Sequence, residues 1–353
     1  MSTLEQLLAI TKNTFQESMR QPVLFVVAMA ATLFIILSNP FATFTLENDQ
    51  RMFVDIGLSS VFLAGVIGAA FIATNVLTRE IDNKTVLTVV SKPVPRPLFI
   101  FGKFLGVAGS VFILMVYLVL VFMIVEIHGS LETAAAKYHL PVIVFGISGI
   151  SLAFAAGIWC NFFYGWTFGA TTLSLLLPIT ALVYLLCLVF SREFNTQGIG
   201  EEFEPQLWIA GGMLFMAILA LTAIAIAAST RLGQVLTLLI TCGFFMMGLL
   251  SDWIFGRPAA AIMAAATKKM PAPEDGVDAL PVVLEGSEKI QYALLNFAHM
   301  ITPNFQIFWL ADAVNQEHAI PAGYISSTML YGVLLIVAAL SLAVILFQRR
   351  EVG

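Results

Sequence analysis

Charge is scarce in this sequence. Asp, Glu, Lys and Arg make up 11% of its 353 residues, whereas soluble globular domains carry about 25%. This deficit excludes an ordinary soluble protein with a hydrated surface. The chain instead has 59% hydrophobic residues and a mean hydropathy of +0.93, gathered in several long apolar runs. Such runs predict an all-α polytopic membrane protein.

Cysteine and histidine are too few and too scattered to predict a metal or disulfide site. The three cysteines, Cys160, Cys187 and Cys242, lie in apolar stretches, and their spacing fits neither a disulfide framework nor a zinc site. We interpret them as packing residues. No two histidines lie at ligand spacing on one predicted helix, so we expect surface side chains and no metal at His128, His139, His299 and His318.

The chain lacks the motif with which P-loop ATPases bind phosphate, Gly-x4-Gly-Lys-Ser/Thr. Its Gly102-Lys103 pair is followed by Phe104, and Pro97 occupies the position of the first glycine. We therefore expect no ATPase activity, no catalytic residue and no bound cofactor in this chain.

The predicted spans also contain almost no ionisable residues. Asp55, Glu126 and Asp252 lie near the predicted outer ends of spans, where water reaches them. Ion-driven carriers and intramembrane hydrolases need titratable groups inside the membrane. Their scarcity here disfavours both classes and indicates that the energy for any work comes from outside this polypeptide.

The apolar runs predict eight spans. Residues 22–77 hold the first two and residues 98–126 the third. Residues 141–190 hold a pair, either two full spans or a re-entrant pair. Residues 207–255 hold two spans joined by a short basic turn, and residues 324–348 hold the last.

Two regions outside these spans show helical amphipathicity. Residues 1–21 predict a helix on the cytoplasmic surface, with an apolar face formed by Leu4, Leu7, Leu8, Phe15 and Met19. A solvated N-terminal helix is the alternative. Residues 256–323 predict short extracytoplasmic helices and a linker, and one stretch there has an apolar face formed by Ile290, Leu294, Phe297 and Ile301.

The distribution of charge orients the predicted spans, because short cytoplasmic loops of membrane proteins are enriched in Lys and Arg. Both termini are then cytoplasmic. In this topology the cytoplasmic side carries five of the 22 acids and ten of the 17 bases. Those bases are Lys12, Arg20, Arg79, Lys84, Lys92, Arg96, Lys103, Arg231, Arg349 and Arg350.

The stretch Thr78 to Gly106 is the most patterned cytoplasmic connection. Asp82, Asn83 and Thr85 are suitable caps for a short helix, and the valines and leucine that follow give it an apolar side. Prolines at 93, 95 and 97 prevent this helix from continuing. The pattern predicts a short capped helix, residues 78–97, held beneath the membrane between two spans.

This stretch resembles the coupling region of type-2 ABC exporter permeases. The resemblance rests on Arg79 to Val86, Ser91 to Arg96 and Phe101 to Gly106, with Lys84 where the family has glycine. Two further stretches agree, the turn Ser229 to Arg231 and the segment Thr302 to Val314. The family has six spans, which implies that the pair at 141–190 is an insertion into a six-span core.

The resemblance implies the permease subunit of an ATP-driven exporter in the cytoplasmic membrane. Two copies, or one copy and a paralogue, would bind two ABC ATPase subunits, which carry the ATP and Mg²⁺. The expected docking residues are Glu80, Asp82, Thr85, Leu87, Val90, Lys92, Pro93 and Arg96.

Several alternatives remain open at this point. The basic connection could instead hold anionic membrane lipid. The 29 phenylalanines suit a hydrophobic or amphiphilic substrate, and equally suit contact with lipid. In a second hypothesis the ABC assembly is a mechanical transmitter that acts on an extracytoplasmic accessory protein, and no substrate crosses. Neither hypothesis involves nucleic acid.

Overall fold

The computed structural model describes residues 2–42, 49–82, 95–129, 138–268, 284, 286–316 and 318–348, without the side chains of 42, 49 and 77–82. Its helices are, in chain order, α1 (Thr3–Met19), α2 (Pro22–Ala42), α3 (Asp49–Asp82), α4 (Arg96–His128), α5 (Leu140–Tyr164), α6 (Phe168–Val189), α7 (Pro205–Ser229), α8 (Gln234–Ser251), a π-helix (Asp252–Gly256), α9 (Arg257–Lys268), α10 (Gly286–Ile301), a 3₁₀-helix (Gln306–Phe308), α11 (Ala311–Asn315) and α12 (Ala322–Gln348).

Within these residues, eight helical stretches are long and apolar enough to cross a membrane. The predicted all-α, polytopic fold with about eight spans is thereby confirmed. The stretch 141–190 forms two separate helices, α5 with 25 residues and α6 with 22, and a bilayer needs about 20. The seventh candidate span is continuous from Gln234 to Lys268, because the π-helix joins α8 directly to α9.

The sequence sets where several helices begin and end. Ser2 and Glu5 form a capping box at the start of α1, each side chain bonding the other residue's backbone N–H. Proline occupies the first turn of α2, α4, α5 and α7, where its missing N–H costs nothing. Glycines with positive φ, Gly129 at +70° and Gly165 at +65°, end α4 and α5.

The described residues form two compact units. The first comprises those within 1–241 and 308–353, and the second those within 242–307. In the first unit, α4 packs against α1, α2, α3, α5, α6, α7 and α12, so it is the central helix. Residues without bulky side chains allow these helices to approach one another closely. A Cβ at Gly65 of α3 would collide with Ile218 of α7 and Met115 of α4.

The second unit contains the end of α8, the π-helix, α9 and α10. Arg257 forms an ion pair with Asp252 at 3.5 Å. The segment that follows α10 returns to α8, where the Phe305 N–H donates to the Gly248 carbonyl at 3.0 Å. The Phe305 ring occupies the space that a side chain at position 248 would fill.

Candidate functional site

The predicted docking residues lie mainly outside the described part of the chain. Glu80 and Asp82 belong to the last turn of α3, which continues as a helix to Asp82, and only their backbone is described. Arg96 is the first residue of α4. Thr85, Leu87, Val90, Lys92 and Pro93 are not described, so their role stays a prediction.

The two helices that flank residues 83–94 lead to one end of the first unit, which we call the α1 end. It comprises α1, the end of α3, the start of α4, the turn from Ser229 to Gln234 and the end of α12. The predicted cytoplasmic bases whose side chains the structure describes belong to these elements, namely Lys12, Arg20, Arg96, Lys103 and Arg231.

Two arginines from different connections hold the last turn of α12. The Arg96 guanidinium donates to the Gln348 carbonyl, and Arg231 Nε donates to the Leu346 carbonyl at 2.9 Å. The last carbonyls of a helix have no partner within the helix and carry its negative dipole end, so a guanidinium is a favourable cap. Arg96 thereby joins the end of the predicted docking region to α12, and Arg231 joins the basic turn to α12.

α1 packs along the start of α4, where glycines allow close approach. A Cβ at Gly106 would lie 2.5 Å from Thr14 Cβ and 2.8 Å from the Thr11 carbonyl oxygen. Ser110 Oγ donates to the Phe15 carbonyl at 3.3 Å. Gly102 and Gly106 therefore both lie close to α1.

The packed face of α1 overlaps the predicted apolar face only in part, since Met19 is buried and Leu7 and Phe15 lie near Gly102 and Gly109 of α4. Leu4 and Leu8, predicted to lie on that face, are 64% and 59% exposed, whereas Thr14 and Ser18 are fully buried. Ser18 Oγ donates to the Thr14 carbonyl, so this hydroxyl is satisfied within the helix. The glycines of α4 therefore accommodate both small and large side chains of α1, namely Thr14 at Gly106, Ile10 at Gly102 and Phe15 at Gly109.

Lys103 is a functional candidate that the sequence placed only in a basic connection. In the structure it lies in the second turn of α4 and is 2% exposed. Its Nζ lies 3.9 Å from Glu17 Oε2 of α1 and 5.7 Å from the centroid of the Phe99 ring. A buried ammonium requires such partners, and the pair links α1 to the helix that follows the predicted docking region.

Asn75 joins three elements at the α1 end, and the sequence analysis did not single it out. Its Nδ2 donates to Gln21 Oε1 at 3.3 Å, and its Oδ1 accepts from Gln234 Nε2 at 2.7 Å. The sequence signal that could have identified Asn75 is a lone side-chain amide inside an otherwise apolar span. Beside it is a cavity of about 450 Å³ lined mainly by polar side chains, namely Asn13, Gln16, Glu17, Arg20, Gln21 and Asn75.

The opposite end of the first unit, which we call the far end, gathers the predicted outer segments. Arg51 forms ion pairs with Asp55 at 4.0 Å and with Asp312 at 3.2 Å. Asn315 Nδ2 donates to Asp55 Oδ1 at 3.1 Å. α11, part of the segment that resembles the family's outer segment, is therefore anchored to the start of α3.

The prediction of surface histidines is wrong for His139, which is fully buried. Its Nδ1 accepts weakly from the Val142 N–H at 3.4 Å, as the N-cap of α5. Burial, together with the smaller effects of the positive charges of Arg192 and His128, lowers the pKa of His139 to about 4. His139 is buried because α5 begins against the far end of α4, a contact that the sequence does not reveal.

Among the described residues no three His, Cys, Asp or Glu side chains lie close enough to hold a metal ion. The cysteines occur as free thiols, buried at Cys187 and exposed at Cys242. The polar groups at the α1 end instead link helices to one another.

The chain was compared with known families, curated proteins and solved structures. Residues 7–163 match the family described as ABC-2 family transporter protein. No curated protein and no solved structure matches the chain significantly. The matched residues include α1 to α4, the connection at 83–94 and most of α5.

The match starts in α1 and covers the connection on which the resemblance was based. Eight long apolar helices accompany it. The resemblance to type-2 ABC permeases is thus confirmed over residues 7–163, which match the ABC-2 transporter family, and the eight long apolar helices among the described residues support a multi-pass membrane protein.

Proposed function

We propose that this permease is driven by a separate cytoplasmic ABC ATPase that docks on residues 80–96. Two permease chains would pair with two ATPase subunits. ATP binding and hydrolysis in the partner would then move a hydrophobic or amphiphilic substrate outward. The observation that carries the proposal is the position of the 83–94 connection between α3 and α4, two helices that run through the core of the first unit.

The packing of α4 supports transmission of a push from this connection. α4 contacts seven other helices of the first unit, and α3 contacts α2, α4 and α7. Close-packed helices move as units rather than deforming continuously. A displacement of residues 83–94 would therefore shift α3 and α4, and through Arg96 also the end of α12.

The distribution of charge supports an external source of energy. α4 has no charged residue or histidine between Lys103 and Glu126, and α3 has none between Asp55 and Arg79. A proton relay through these helices would need titratable stations at intermediate depth. Work on the substrate is therefore assigned to the ATPase.

The substrate class is inferred from the apolar character of the spans. Large apolar side chains cover their exposed faces, among them Phe34, Phe112 and Leu330. A hydrophilic solute would lose hydrogen bonds with water along such a surface. An amphiphile could keep its polar part at the membrane interface and move only its apolar part across these faces.

The test is co-purification of the cognate ATPase with the variant Leu87→Asp. A carboxylate on the apolar side of the predicted docking helix should abolish ATPase binding and leave insertion into the membrane intact. Ile199→Asp is the matched control, since Ile199 is 57% exposed in the connection between α6 and α7. Normal ATPase recovery with Leu87→Asp would overturn the assignment.

A mechanical transmitter is the second candidate function, and α10 supplies the observation that favours it. Five of its apolar side chains are at least 62% exposed: Ile290, Leu294, Phe297, Met300 and Ile301. This face could receive an extracytoplasmic partner. In that case Phe297→Asp should abolish the activity of the assembly. Substrate-like amphiphiles should stimulate the ATPase neither in the wild type nor in the variant. Transport of an amphiphile by the Phe297→Asp variant would exclude this candidate.

A further inference from the structure

A cavity of about 390 Å³ lies among α2, α4, α5 and α6 of the first unit. Its walls are mainly isoleucine and valine, with Asn39, Tyr117, His128 and Thr180 as polar exceptions. The Tyr117 hydroxyl is already engaged by Thr32 Oγ1 at 2.8 Å. Its volume falls in the range of small-molecule sites, about 300–1,000 Å³, and its apolar walls disfavour a hydrated solute.

The cavity is open at the side of the helix bundle. α2 packs mainly against α3 and α4, whereas α5 packs mainly against α6. The Phe25 and Phe154 rings join α2 to α5, with centroids 6.0 Å apart, and farther along α2 the cavity leaves a gap between the two helices. Three isoleucines that line the cavity are exposed at this gap, Ile36 at 43%, Ile147 at 63% and Ile150 at 38%. In a membrane, an apolar opening in this position faces lipid chains.

Polar side chains lie at one end of the cavity. Asn39 and His128 line it there, and the Asn39 amide donates to the Gly129 carbonyl at 2.6 Å. Arg192 is exposed, and its Nη2 lies 3.2 Å from the position that a Cβ on Gly129 would take. This end of the cavity therefore lies at the far end of α4, where an interfacial headgroup would sit.

The charge near Arg192 is not simply positive. Burial raises the pKa of Glu202, the Arg192 charge opposes this, and the carboxylates of Glu201 and Glu204 raise it further. The Glu202 carboxylate therefore lies close enough to the guanidinium to interact with it, and Glu201 and Glu204 lie close to Glu202. A headgroup with only negative charge would be attracted by Arg192 and repelled by these acids, whereas a headgroup that carries a phosphate and an ammonium matches both.

We propose that the cavity among α2, α4, α5 and α6 binds one acyl chain of a zwitterionic phospholipid, whose phosphate contacts Arg192. The site lies on the α5–α6 pair and is independent of whether an ATPase docks at residues 80–96. A bound lipid would fill the gap between α2 and α5 and join this pair to the rest of the first unit.

Gly146 offers a way to fill the cavity without disturbing the helices. It lines the cavity, and a Cβ there would meet no atom within 4 Å. Gly146→Phe should therefore fold and occupy the space of the acyl chain. Gly212→Phe is the matched control, because Gly212 in α7 also has open space around its Cβ and does not line the cavity. Ile147→Trp is a second filling variant.

The experiment uses the full chain in nanodiscs that contain phosphatidylethanolamine with a photoreactive group near the end of one acyl chain. After irradiation, mass spectrometry locates the labelled peptides. The wild type and Gly212→Phe should carry the label on α2, α5 and α6. Gly146→Phe and Ile147→Trp should carry about tenfold less label there, with unchanged elution on size exclusion.

Equal labelling of these helices in the filled variants and the wild type would overturn the proposal. Arg192→Gln should reduce labelling, and Arg192→Lys should retain most of it, because Lys also binds phosphate as a point charge. A preference for phosphatidylglycerol over phosphatidylethanolamine would overturn the zwitterionic assignment. Crosslinks between two chains through Ile147→Cys, with no lipid label at the cavity, would assign the gap to a second copy instead.

Discussion

α7 and α5 have the same length and similar composition, yet they occupy different environments. Each has 25 residues, and their most apolar stretches have a mean hydropathy of 2.4 and 2.1. The structure buries 67% of that stretch in α7 and only 22% in α5. Apolarity alone therefore indicates that a helix is membrane-embedded and does not indicate which other helices it contacts.

The difference between the two helices comes from their small residues and partners. α7 packs against α3, α4 and α12, and fully buried alanines such as Ala220, Ala223 and Ala225 allow those helices to approach. α5 packs mainly against α6 and exposes Ile147, Leu152 and Trp159. Helices that pack as α7 does form the core, and helices that pack as α5 does keep exposed surfaces that can contact lipid or another chain.

The largest expected effect is that of Gly106→Leu at the contact between α1 and α4. The new side chain would collide with Thr14 and with the Thr11 backbone, which cannot move as a flexible side chain does. Because α1 would have to separate from α4, we expect a loss of about 3 kcal/mol. A reversible unfolding assay in detergent micelles measures this loss.

Gly146→Leu in α5 is the control for this comparison. Its Cβ has open space around it, so the same substitution should leave stability within about 0.5 kcal/mol of the wild type. Equal destabilisation by both variants would show that glycine itself, rather than its contacts, decides the effect. The distinction between core helices and α5 would then be wrong.

The second expected effect is a pH dependence at the start of α5, through His139. Its pKa is lowered by burial from the ordinary 6.5 to about 4. The unfolded chain therefore binds more protons between these values, and the contribution of neutral His139 to stability, complete above pH 6.5, is lost as pH falls towards 4. Thermal unfolding at pH 7.5 and pH 5 should show a smaller pH dependence for His139→Gln than for the wild type.

Arg192 carries part of this pKa shift, so it provides the control. Its positive charge lowers the pKa of His139, and Arg192→Gln should therefore leave a smaller pH dependence with the same sign. A pH dependence that is identical in the wild type and in His139→Gln would assign the effect to another group.

Comparison of prediction with structure shows what the sequence reveals. Helix ends follow local chemistry, such as the Ser2 capping box and the glycines after α4 and α5, so they could be predicted. Which side chains are buried could not be predicted, because lipid and the protein interior are both apolar and select the same residue types. The buried face of α1 and the burial of His139 both depend on α4, which is distant in sequence.

The candidate site was predictable only in part for the same reason. The proline pattern and the acidic and basic residues of 78–106 identified the connection and its relation to the family. The capping of α12 by Arg96 and Arg231 joins residues more than 100 positions apart, and no local pattern specifies it. Lys103 similarly acquires its role from Glu17 on another helix.

A third, smaller effect is expected for Glu17→Gln at this contact. The change removes the carboxylate that lies 3.9 Å from the buried Lys103 ammonium. Glu17 is 37% exposed, so solvent screens part of the interaction, and we expect a loss of about 1 kcal/mol. Lys103→Met instead removes the buried ammonium, and it should lower the free energy of unfolding by less than Glu17→Gln does. The opposite order, measured by the same unfolding assay, would mean that the pair contributes net attraction beyond its desolvation cost.

The smallest expected effect is that of Tyr117→Phe, which removes the hydrogen bond between α4 and α2. Tyr117 is 1% exposed, and Thr32 Oγ1 lies 2.8 Å from its hydroxyl. Thr32 keeps its bond to the Ala28 carbonyl when that hydroxyl is removed. Hydrogen bonds between membrane helices contribute on average about 0.6 kcal/mol and at most about 1.7. A double-mutant cycle with Thr32→Val isolates this coupling from the loss of packing. If the coupling exceeds the effect of Gly106→Leu, polar contacts rather than close approach through small residues separate the core helices from α5, and the comparison between α7 and α5 must be explained by hydrogen bonding.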